Sequence, residues 1–600
     1  MKDDYYNFIN KDWIEKTKIP EDQASYNNYI CLREELLDEV KVLVKNSTGL
    51  LGDLYYSGIN HYDGNLRRII KKLSVVSNKE QLFPFLAKCC MIGVSTFLPV
   101  SITVDSKNSS NYKVQISQGG IGLPKLFYTD KPDKCEKYKE MMNNVFKYYN
   151  VTDNNKIIDV IFNFEKKISE HHLLPEEEMD VTKTYNLITL NELNTKYSKI
   201  NWTVFFSSCG IQVHDSIILE SPEYLSSIEK LFEKTSIEVL ILYFLWCILR
   251  SYCPYVNQEL SLIFFQFYGV ELRGKKEQKP LDERITQIVM DNLSDHICME
   301  YKKKHFTQME DDIKTVCSYT LDIRKNYKKI LEKLTWLSQG TKEKAIKKLE
   351  KFRFKIGFPS KYENYDGLVI DRNDSFVNNI INISKFHSKR IIKKYNNKIK
   401  VDKDLWVMNS YEVNACYVPT NNELIIPAAI LQKPFYSNKQ TLTENLAGIG
   451  TIIGHEILHA FDDCGRHYDE NGNVNDWWTD EDEKLYNEKI QKLIKQFDNY
   501  GFNGKLTVGE VFADVVGFEV ALAVLKQKIP NDEENFFKHH TVVGREKLTT
   551  EYENLQKYTD PHPSQKFRVN AVLSLNKEFN ELYQITDQDG MYIADKFTIL

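Results

Sequence analysis

The chain has 600 residues, of which 42% are hydrophobic and 27% are charged, and its formal net charge is −5 at pH 7. A chain of this length can bury a large core and is expected to form two or more domains or one very large one. The small negative charge gives no reason to expect nucleic acid or an anionic membrane as a partner.

Hydrophobic periodicity along the chain is mainly helical. Apolar residues at helical spacing predict helices in four long stretches, from about Glu34 to Lys72, Lys134 to Glu170, Ser221 to Ser251 and Leu281 to Lys351. Alternating patterns predict strands at Tyr112–Ile116 and Cys416–Ile426. The sequence therefore predicts a mainly α fold with a small β-sheet, in the α+β class.

Two lysine-rich runs, Lys342–Lys355 and Lys389–Lys400, are interrupted by apolar residues at helical spacing. This pattern is typical of helices with one solvated face, so we interpret both runs as solvated. No window approaches 18 uninterrupted apolar residues, and the closest, Ile237–Ile248, has the length of a buried helix. The N-terminus also has no apolar signal core, so we expect neither a signal peptide nor a membrane segment.

The 11 cysteines are odd in number and scattered, and their spacing matches neither a disulfide framework nor a metal knuckle. Reduced thiols in a cytoplasmic or otherwise intracellular location explain this usage best. We further expect a monomer.

The most informative feature is an H-E-x-x-H motif formed by His455, Glu456 and His459 within Gly454–Asp463. In a helix, the two histidines lie one turn apart on the same face, so both imidazoles can bind one zinc ion. Glu456 then points at a water molecule on that ion, as in zinc peptidases. The alternative interpretation is an ordinary amphipathic helix with two solvated histidines.

A second predicted helix, Gly509–Leu525, supplies carboxylates downstream of the motif. Catalytic zinc usually has three protein ligands, and two histidines with one glutamate are a standard set, so Glu510 is the predicted third ligand of one Zn²⁺ per chain. Asp514 lies on the same helical face and could accept the spare N–H of a ligating histidine, or be a helix-start carboxylate. Glu519 competes with Glu510 but has no aspartate four residues later.

Along nearly its whole length, the chain resembles the neprilysin and endothelin-converting-enzyme family of zinc endopeptidases. The extended metal motif of that family is similar to Gly454–Thr479, and its glutamate motif is similar to Gly509–Asp514. Further similar segments are Val413–Tyr417, Asn422, Pro427–Ala428, Ile430–Phe435, Asp3–Trp13, Gly120–Pro124, Asn201–Trp202, Trp336 and Lys355–Pro359. So many ordered matches are far more specific than H-E-x-x-H alone.

The resemblance implies how the remaining catalytic residues act. Glu456 would take a proton from the attacking water and pass it to the leaving amine, as general base and then general acid. The groups that stabilise the developing oxyanion would be His562 and Arg568, in the segment Asp560–Asn570. Without the resemblance, these two residues are best interpreted as solvated surface groups.

Asn414 and Ala415 would bind substrate if the resemblance holds. In that family the corresponding strand pairs with the peptide along its edge and fixes its register. Without the family, Asn414 is a polar residue of an edge strand. Cys416 stands where the family most often has an aromatic residue, so the shape of one flanking pocket is in question.

The resemblance also implies two lobes that enclose a central cavity. Residues 1–40, 225–340 and 385–600 would form a thermolysin-like zinc catalytic lobe, and residues 41–224 and 341–384 a mainly helical capping lobe. Such an enclosure would exclude folded proteins, so oligopeptide substrates are expected. Cleavage is expected at internal bonds, on the amino side of hydrophobic residues.

Two alternative functional classes remain beside the endopeptidase. A catalytically silent peptide-binding homologue would most simply show a replaced Glu456 or Glu510, and neither is replaced. An aminopeptidase would need a site for the free amine of its substrate, and it would leave the Asn414–Ala415 strand unexplained.

Overall fold

A computed structural model describes residues 1–151, 154–498 and 501–598. The α-helices of the first half of the chain are α1 (Tyr5–Lys16), α2 (Asn28–Asn46), α3 (Leu50–Asn60), α4 (Arg67–Leu73), α5 (Leu82–Met91), α6 (Phe127–Asp130), α7 (Pro132–Tyr148), α8 (Asn154–Ser169), α9 (Pro175–Glu178), α10 (Val181–Thr184), α11 (Leu190–Lys196), α12 (Trp202–Cys209), α13 (Pro222–Lys234), α14 (Ile237–Tyr252), α15 (Gln258–Phe264) and α16 (Leu281–Asn292). Those of the second half are α17 (Ser294–Lys333), α18 (Gln339–Glu350), α19 (Phe376–Asn396), α20 (Leu442–Asn445), α21 (Thr451–Leu458), α22 (Asp480–Asp498), α23 (Gly504–Lys528), α24 (Glu533–Val543), α25 (Thr550–Thr559), α26 (Gln565–Leu575) and α27 (Lys577–Tyr583).

The strands form three small sheets in the described ranges. They are β1 (Ser25–Asn27), β2 (Val100–Asp105), β3 (Asn108–Ile116), β4 (Asn186–Ile188), β5 (Ile217–Leu219), β6 (Arg353–Gly357), β7 (Cys416–Val418), β8 (Glu423–Pro427) and β9 (Glu546–Leu548). The strand orders are β1-β9, β2-β3-β5-β4 and β6-β8-β7. In the third sheet, β6 runs parallel to β8 and β7 runs antiparallel to it, so β7 lies at an edge.

The predicted mainly helical fold is confirmed, and each of the four predicted helical stretches consists of two or three helices. Residues 152–153, inside the stretch that forms α7 and α8, lie outside the described residues. The strands are divided among three sheets rather than one. The alternating segment Cys416–Ile426 is a hairpin of β7 and β8 because a 3₁₀ turn at Pro419–Asn421 and a left-handed Asn422 (φ 47°) reverse the chain. The division into two lobes stays a prediction.

One helical stretch, Ile237–Tyr255, has the length and composition of a membrane span, with half of the tested window buried inside the protein. Its aromatic side chains pack in the core, with Tyr243 4.9 Å from Phe164 and Trp246 6.1 Å from Phe146 between ring centroids. Tyr243 and Trp246 are both fully buried. These contacts are those of a core helix. All eleven cysteines are free in this structure.

Candidate active site

Two packed helices, α21 and α23, carry the predicted zinc ligands. α21 contains His455 and Glu456, His459 follows at its C-terminal cap, and Glu510 lies near the start of α23. Close packing of the helices depends on two facing glycines. A Cβ atom on Gly454 would lie 2.6 Å from the carbonyl oxygen of Gly517, and one on Gly517 would lie 2.4 Å from the backbone nitrogen of His455. No larger residue fits at either position, so these glycines set the distance between the predicted metal-binding side chains.

The side chains of both helices converge on one point. Nε2 of His455 lies 2.9 Å from Nε2 of His459. The Glu510 carboxylate lies 3.2 Å from the first of these atoms and 3.7 Å from the second. Glu456 also has a carboxylate oxygen within 4.8 Å of both imidazoles. Glu510 is a better candidate for the third ligand than Glu456 because its oxygens are in direct contact with both imidazoles.

The charges at this point favour a cation. Oε2 of Glu510 is buried, and the Nε2 atoms of His455 and His562 lie 3.2 Å and 3.1 Å from it. Although burial alone would lower the pKa of His459, the carboxylates of Glu510 and Asp462 raise it to about 10. The negative charge therefore stabilises a positive charge at the imidazoles. Two imidazole nitrogens and a buried carboxylate fit a zinc ion.

Asp514 holds His455 from behind. Its Oδ1 lies 2.9 Å from Nδ1 of His455, which leaves Nε2 of that ring to face the metal position. Arg568, on α26, donates two hydrogen bonds of 2.6 Å to the same carboxylate, from Nε and Nη2. Burial raises the pKa of Asp514, but the charge of Arg568 outweighs this effect and keeps the carboxylate ionised. Arg568 thus has a positioning contact that the sequence did not predict.

Asp462 fixes the orientation of His459, the second histidine of the motif. A functional role for Asp462 was not predicted from the sequence. Its Oδ2 lies 2.7 Å from Nδ1 of His459, while its Oδ1 accepts the N–H groups of Cys464 and Gly465. Asp462 therefore fixes both the imidazole and the turn that follows α21. The signal that could have identified it is its position three residues after His459, on the same side of a helical turn.

Lys348, on α18, supports this turn from the other side. Its ammonium group donates to the carbonyl oxygens of Ala460 (2.6 Å), Gly465 (2.7 Å) and Tyr468 (2.7 Å). Burial lowers the pKa of Lys348 to about 7, whereas three acceptors require three N–H donors and so favour the charged form. The prediction that the run Lys342–Lys355 is solvated is wrong at this position, where the side chain is 1% exposed.

His562 lies in the loop between α25 and α26, beside the metal position. Its Nε2 is 3.1 Å from Oε2 of Glu510, and its Nδ1 is 2.9 Å from Oδ1 of Asp560. These two carboxylates raise the pKa of His562 to about 9 against the opposing effect of burial. The ring is 48% exposed, so it can turn an N–H towards a bound molecule.

Glu519, the competing candidate ligand, lies elsewhere. Its carboxylate accepts a 2.7 Å hydrogen bond from the side-chain amide of Asn576. Burial raises its pKa. The spacing argument that ranked Glu510 above Glu519 therefore agrees with the contacts of both residues.

A cavity of about 350 Å³ opens onto these groups. Seven of the nine predicted site residues line it, namely Asn414, Ala415, His455, Glu456, Asp514, His562 and Arg568. The other two, His459 and Glu510, are not among the lining residues. Asn414 and Ala415 immediately precede the edge strand β7. Tyr29 and Arg33 of α2 also line the cavity, and Arg33 donates to the carbonyl oxygen of Val413.

The fold and the site together define a metallopeptidase with an H-E-x-x-H helix. The chain belongs to Peptidase family M13, because two profiles of this family match residues 1–359 and 414–599.

Two relatives are similar to almost the whole chain. The neutral endopeptidase of Lactococcus lactis subsp. lactis is 26% identical over 624 residues, covering 99% of this chain and 98% of that protein. The endothelin-converting enzyme 1 of Rattus norvegicus is 26% identical over 640 residues, covering 97% of this chain and 83% of that enzyme.

One solved protein offers two conformations for comparison. The crystal structure of the Mycobacterium tuberculosis zinc metalloprotease Zmp1 with an inhibitor has a TM-score of 0.93 to this chain at 26% identity, covering 100% of this chain and 97% of the other. The open state of the same protease has a TM-score of 0.71, with coverages of 99% and 98%. The conformation described here is therefore closer to the inhibitor-bound one.

Proposed function

We propose that this chain is a zinc-dependent endopeptidase of oligopeptides, with one zinc ion held by His455, His459 and Glu510. The observation that carries the proposal is the direct contact of the Glu510 carboxylate with both imidazoles of the H-E-x-x-H motif. When bound there, zinc would supply Lewis acidity for the scissile carbonyl and for a water molecule.

The proton transfers fall to Glu456. This carboxylate is 8% exposed, lines the cavity and belongs to the same helix as the ligand His455. It can accept one proton from the attacking water and deliver it to the nitrogen of the leaving amine as the C–N bond breaks. The second proton of the water stays on the new carboxyl group, so Glu456 ends ionised and the products are a carboxylic acid and a neutral amine. Asp514 and Asp462 keep the two imidazoles oriented during this cycle through their Nδ1 contacts.

His562 and Arg568 have different proposed roles. The exposed ring of His562 can donate an N–H to the oxyanion that develops on the former carbonyl oxygen. Arg568 uses Nε and Nη2 to hold Asp514, so its main role is to position that carboxylate. Any contact of Arg568 with the oxyanion would have to come from its remaining nitrogen.

The size of the cavity supports short peptides as substrates. A volume of about 350 Å³ admits a few residues of extended chain and no folded domain. Val543, Val569 and Val572 form part of its wall, which favours a hydrophobic side chain in the substrate. The resemblance to the family implies that this side chain lies on the carboxyl side of the cleaved bond. Two lobes that separate to admit the peptide would account for access, and the similar protease Zmp1 has a structure in an open state.

The decisive experiment compares the zinc-loaded protein with protein treated with a chelator, on a peptide library of mixed length read by mass spectrometry. We expect cleavage at internal bonds before hydrophobic residues, loss of cleavage on chelation and recovery with zinc. Metal analysis should give one zinc per chain. Zinc at a hundredfold excess over its Kd should also add about 2.7 kcal/mol to the free energy of unfolding, measured as a higher melting temperature.

The outcomes of this experiment separate the alternatives. Removal of single N-terminal residues in place of internal cleavage would indicate an aminopeptidase. Binding of peptides without any cleavage by the zinc-loaded protein would indicate a catalytically silent peptide-binding homologue.

Replacing Asn414 by alanine should weaken substrate binding. The side chain is exposed in the cavity beside edge strand β7, where a peptide adding to the sheet would meet its amide. Loss of one such hydrogen bond should raise KM about 3- to 10-fold with little change in kcat, measured with an internally quenched peptide. Asn373→Ala, at an exposed position away from the cavity, is the control. An unchanged KM would remove Asn414 from the substrate site.

A further inference from the structure

A second cavity, of about 720 Å³, lies between α5, the C-terminal end of α12 and the C-terminal half of α19. It shares no lining residue with the cavity at the metal site. The lining residues are Lys88, Met91, Ile92, Ser207, Ser208, Cys209, Gly210, Gln212, Lys385, Lys389, Ile392, Lys393, Asn396 and Asn397. Its volume is within the range of small-molecule sites in proteins.

The charges around this second cavity have a single sign. Four lysines line it, and no aspartate or glutamate does. Within the described ranges, none of these four ammonium groups lies within 4 Å of a carboxylate, whereas other lysines, such as Lys2 and Lys577, form such contacts. Burial lowers the pKa of Lys88 to about 8, and the neighbouring cations Lys72, Lys385 and Arg68 contribute to this shift.

Some buried or half-buried lysines elsewhere in the chain are paired with carboxylates. Lys113 lies 3.5 Å from Asp105 and 3.1 Å from Asp215. Lys279 contacts three carboxylates. In a protein of net charge −5, a concave group of unpaired lysines is electrostatically unfavourable until an anion binds. The cluster is therefore a stronger indication of a ligand than solvated lysines on a convex surface.

The floor and the polar groups of the cavity define the ligand further. Ile92 and Cys209 are 1% and 5% exposed and form an apolar floor with Met91 and Ile392. Some carbonyl oxygens at the C-terminal ends of α5 and α12 already accept hydrogen bonds, so they are not free to offset the lysines. The carbonyl oxygens of Cys89 and Ser207, for example, accept N–H groups of the capping turns. A matching ligand thus has several negative charges and an organic portion that can contact the floor.

We infer that this lysine-lined cavity is a binding site for an organic polyphosphate, a small molecule that carries several phosphate groups. Phosphates suit clustered ammonium groups because each can accept charge-assisted hydrogen bonds from more than one lysine. A nucleic acid is the less favoured ligand because the lysines are confined to one concave site and the rest of the chain carries excess negative charge. A nucleoside triphosphate and an inositol polyphosphate both have several phosphate groups and an organic portion, so either could be the ligand.

Isothermal titration of the zinc-loaded protein tests this inference, with ATP, inositol hexakisphosphate and a single-stranded oligonucleotide as separate probes. The double variant Lys385→Gln/Lys389→Gln is compared with Lys11→Gln/Lys484→Gln, which removes the same charge at two exposed positions away from the cavity. At least one polyphosphate should bind the wild type, and the cavity variant should bind it at least about tenfold more weakly, because two charge-assisted contacts are lost. The control variant should bind it as the wild type does.

A second measurement separates binding from misfolding. Without ligand, the cavity variant should melt at the same temperature as the wild type or higher, because like-charge repulsion is relieved. Equal weakening in both variants, which general electrostatics or chelation of zinc would produce, overturns the inference. So does the absence of binding by both polyphosphates. Tightest binding of the oligonucleotide, dependent on Lys385 and Lys389, would replace the polyphosphate with nucleic acid.

Discussion

The Glu456→Gln variant should keep its zinc and its fold and lose about a thousandfold in kcat, within the range of 10²–10⁴ that general acid–base catalysis typically contributes. Glutamine has the shape of glutamate but cannot accept the proton of the attacking water. The carboxylate that contacts both imidazoles belongs to Glu510 and not to Glu456, so replacement of Glu456 should leave the metal in place. The measurement is kcat and KM with an internally quenched peptide, together with zinc content.

A second glutamate provides the control for this experiment. Glu481 lies exposed at the start of α22, and Glu481→Gln should retain the activity of the wild type. Activity of Glu456→Gln within tenfold of the wild type, with zinc bound, would show that another group takes the proton. Loss of zinc from this variant would instead mean that Glu456 helps to hold the metal.

The residues that were easiest to predict are those whose relation is local. His455 and His459 are four residues apart, and a helix alone brings their side chains to one face. Glu510 and Asp514 have the same relation on α23, so their ranking above Glu519 needed only helical geometry. What the sequence pattern does not contain is the distance between the two helices, which depends on the facing glycines of α21 and α23.

Contacts between distant segments explain most of what was missed. Arg568 was predicted near the reacting atoms, but its two hydrogen bonds to Asp514 depend on how α26 packs against α23. Within Cys416–Ile426, alternation continues through the turn, so the pattern predicts strand where the chain reverses at Asn422. Periodicity describes which faces are apolar, and it is less informative about where a chain turns.

The lysine-rich runs show the same limit for charge. Lys348 belongs to a run whose sequence pattern predicts a solvated helix face. Only the tertiary structure brings three carbonyl groups to its ammonium group. The rings of Tyr417, Phe461 and Trp477 surround it, with centroids 5.6 to 6.0 Å from Nζ. A lysine in such a cage is a structural cation that links the edge strand β7 to the turn after α21.

The Lys348→Met variant should therefore lose about 2–4 kcal/mol of unfolding free energy, since buried carbonyl groups remain without donors. Ala460 and Tyr468 lose their hydrogen-bond donor, whereas the Gly465 carbonyl keeps the N–H of Tyr468. The same turn carries Asp462, which orients His459, so zinc affinity should also fall about 10- to 100-fold. Chemical denaturation and competition with a zinc chelator measure these two effects.

Lys347, which immediately precedes Lys348 on the same helix, provides a matched control. Its side chain is 58% exposed and pairs with Glu470 at 2.7 Å, so Lys347→Met should cost less than about 1 kcal/mol and leave zinc affinity unchanged. If Lys348→Met loses stability but binds zinc as tightly as Lys347→Met, Lys348 only fills the core. If it loses zinc affinity as well, the turn after α21 transmits the position of Lys348 to His459 through Asp462.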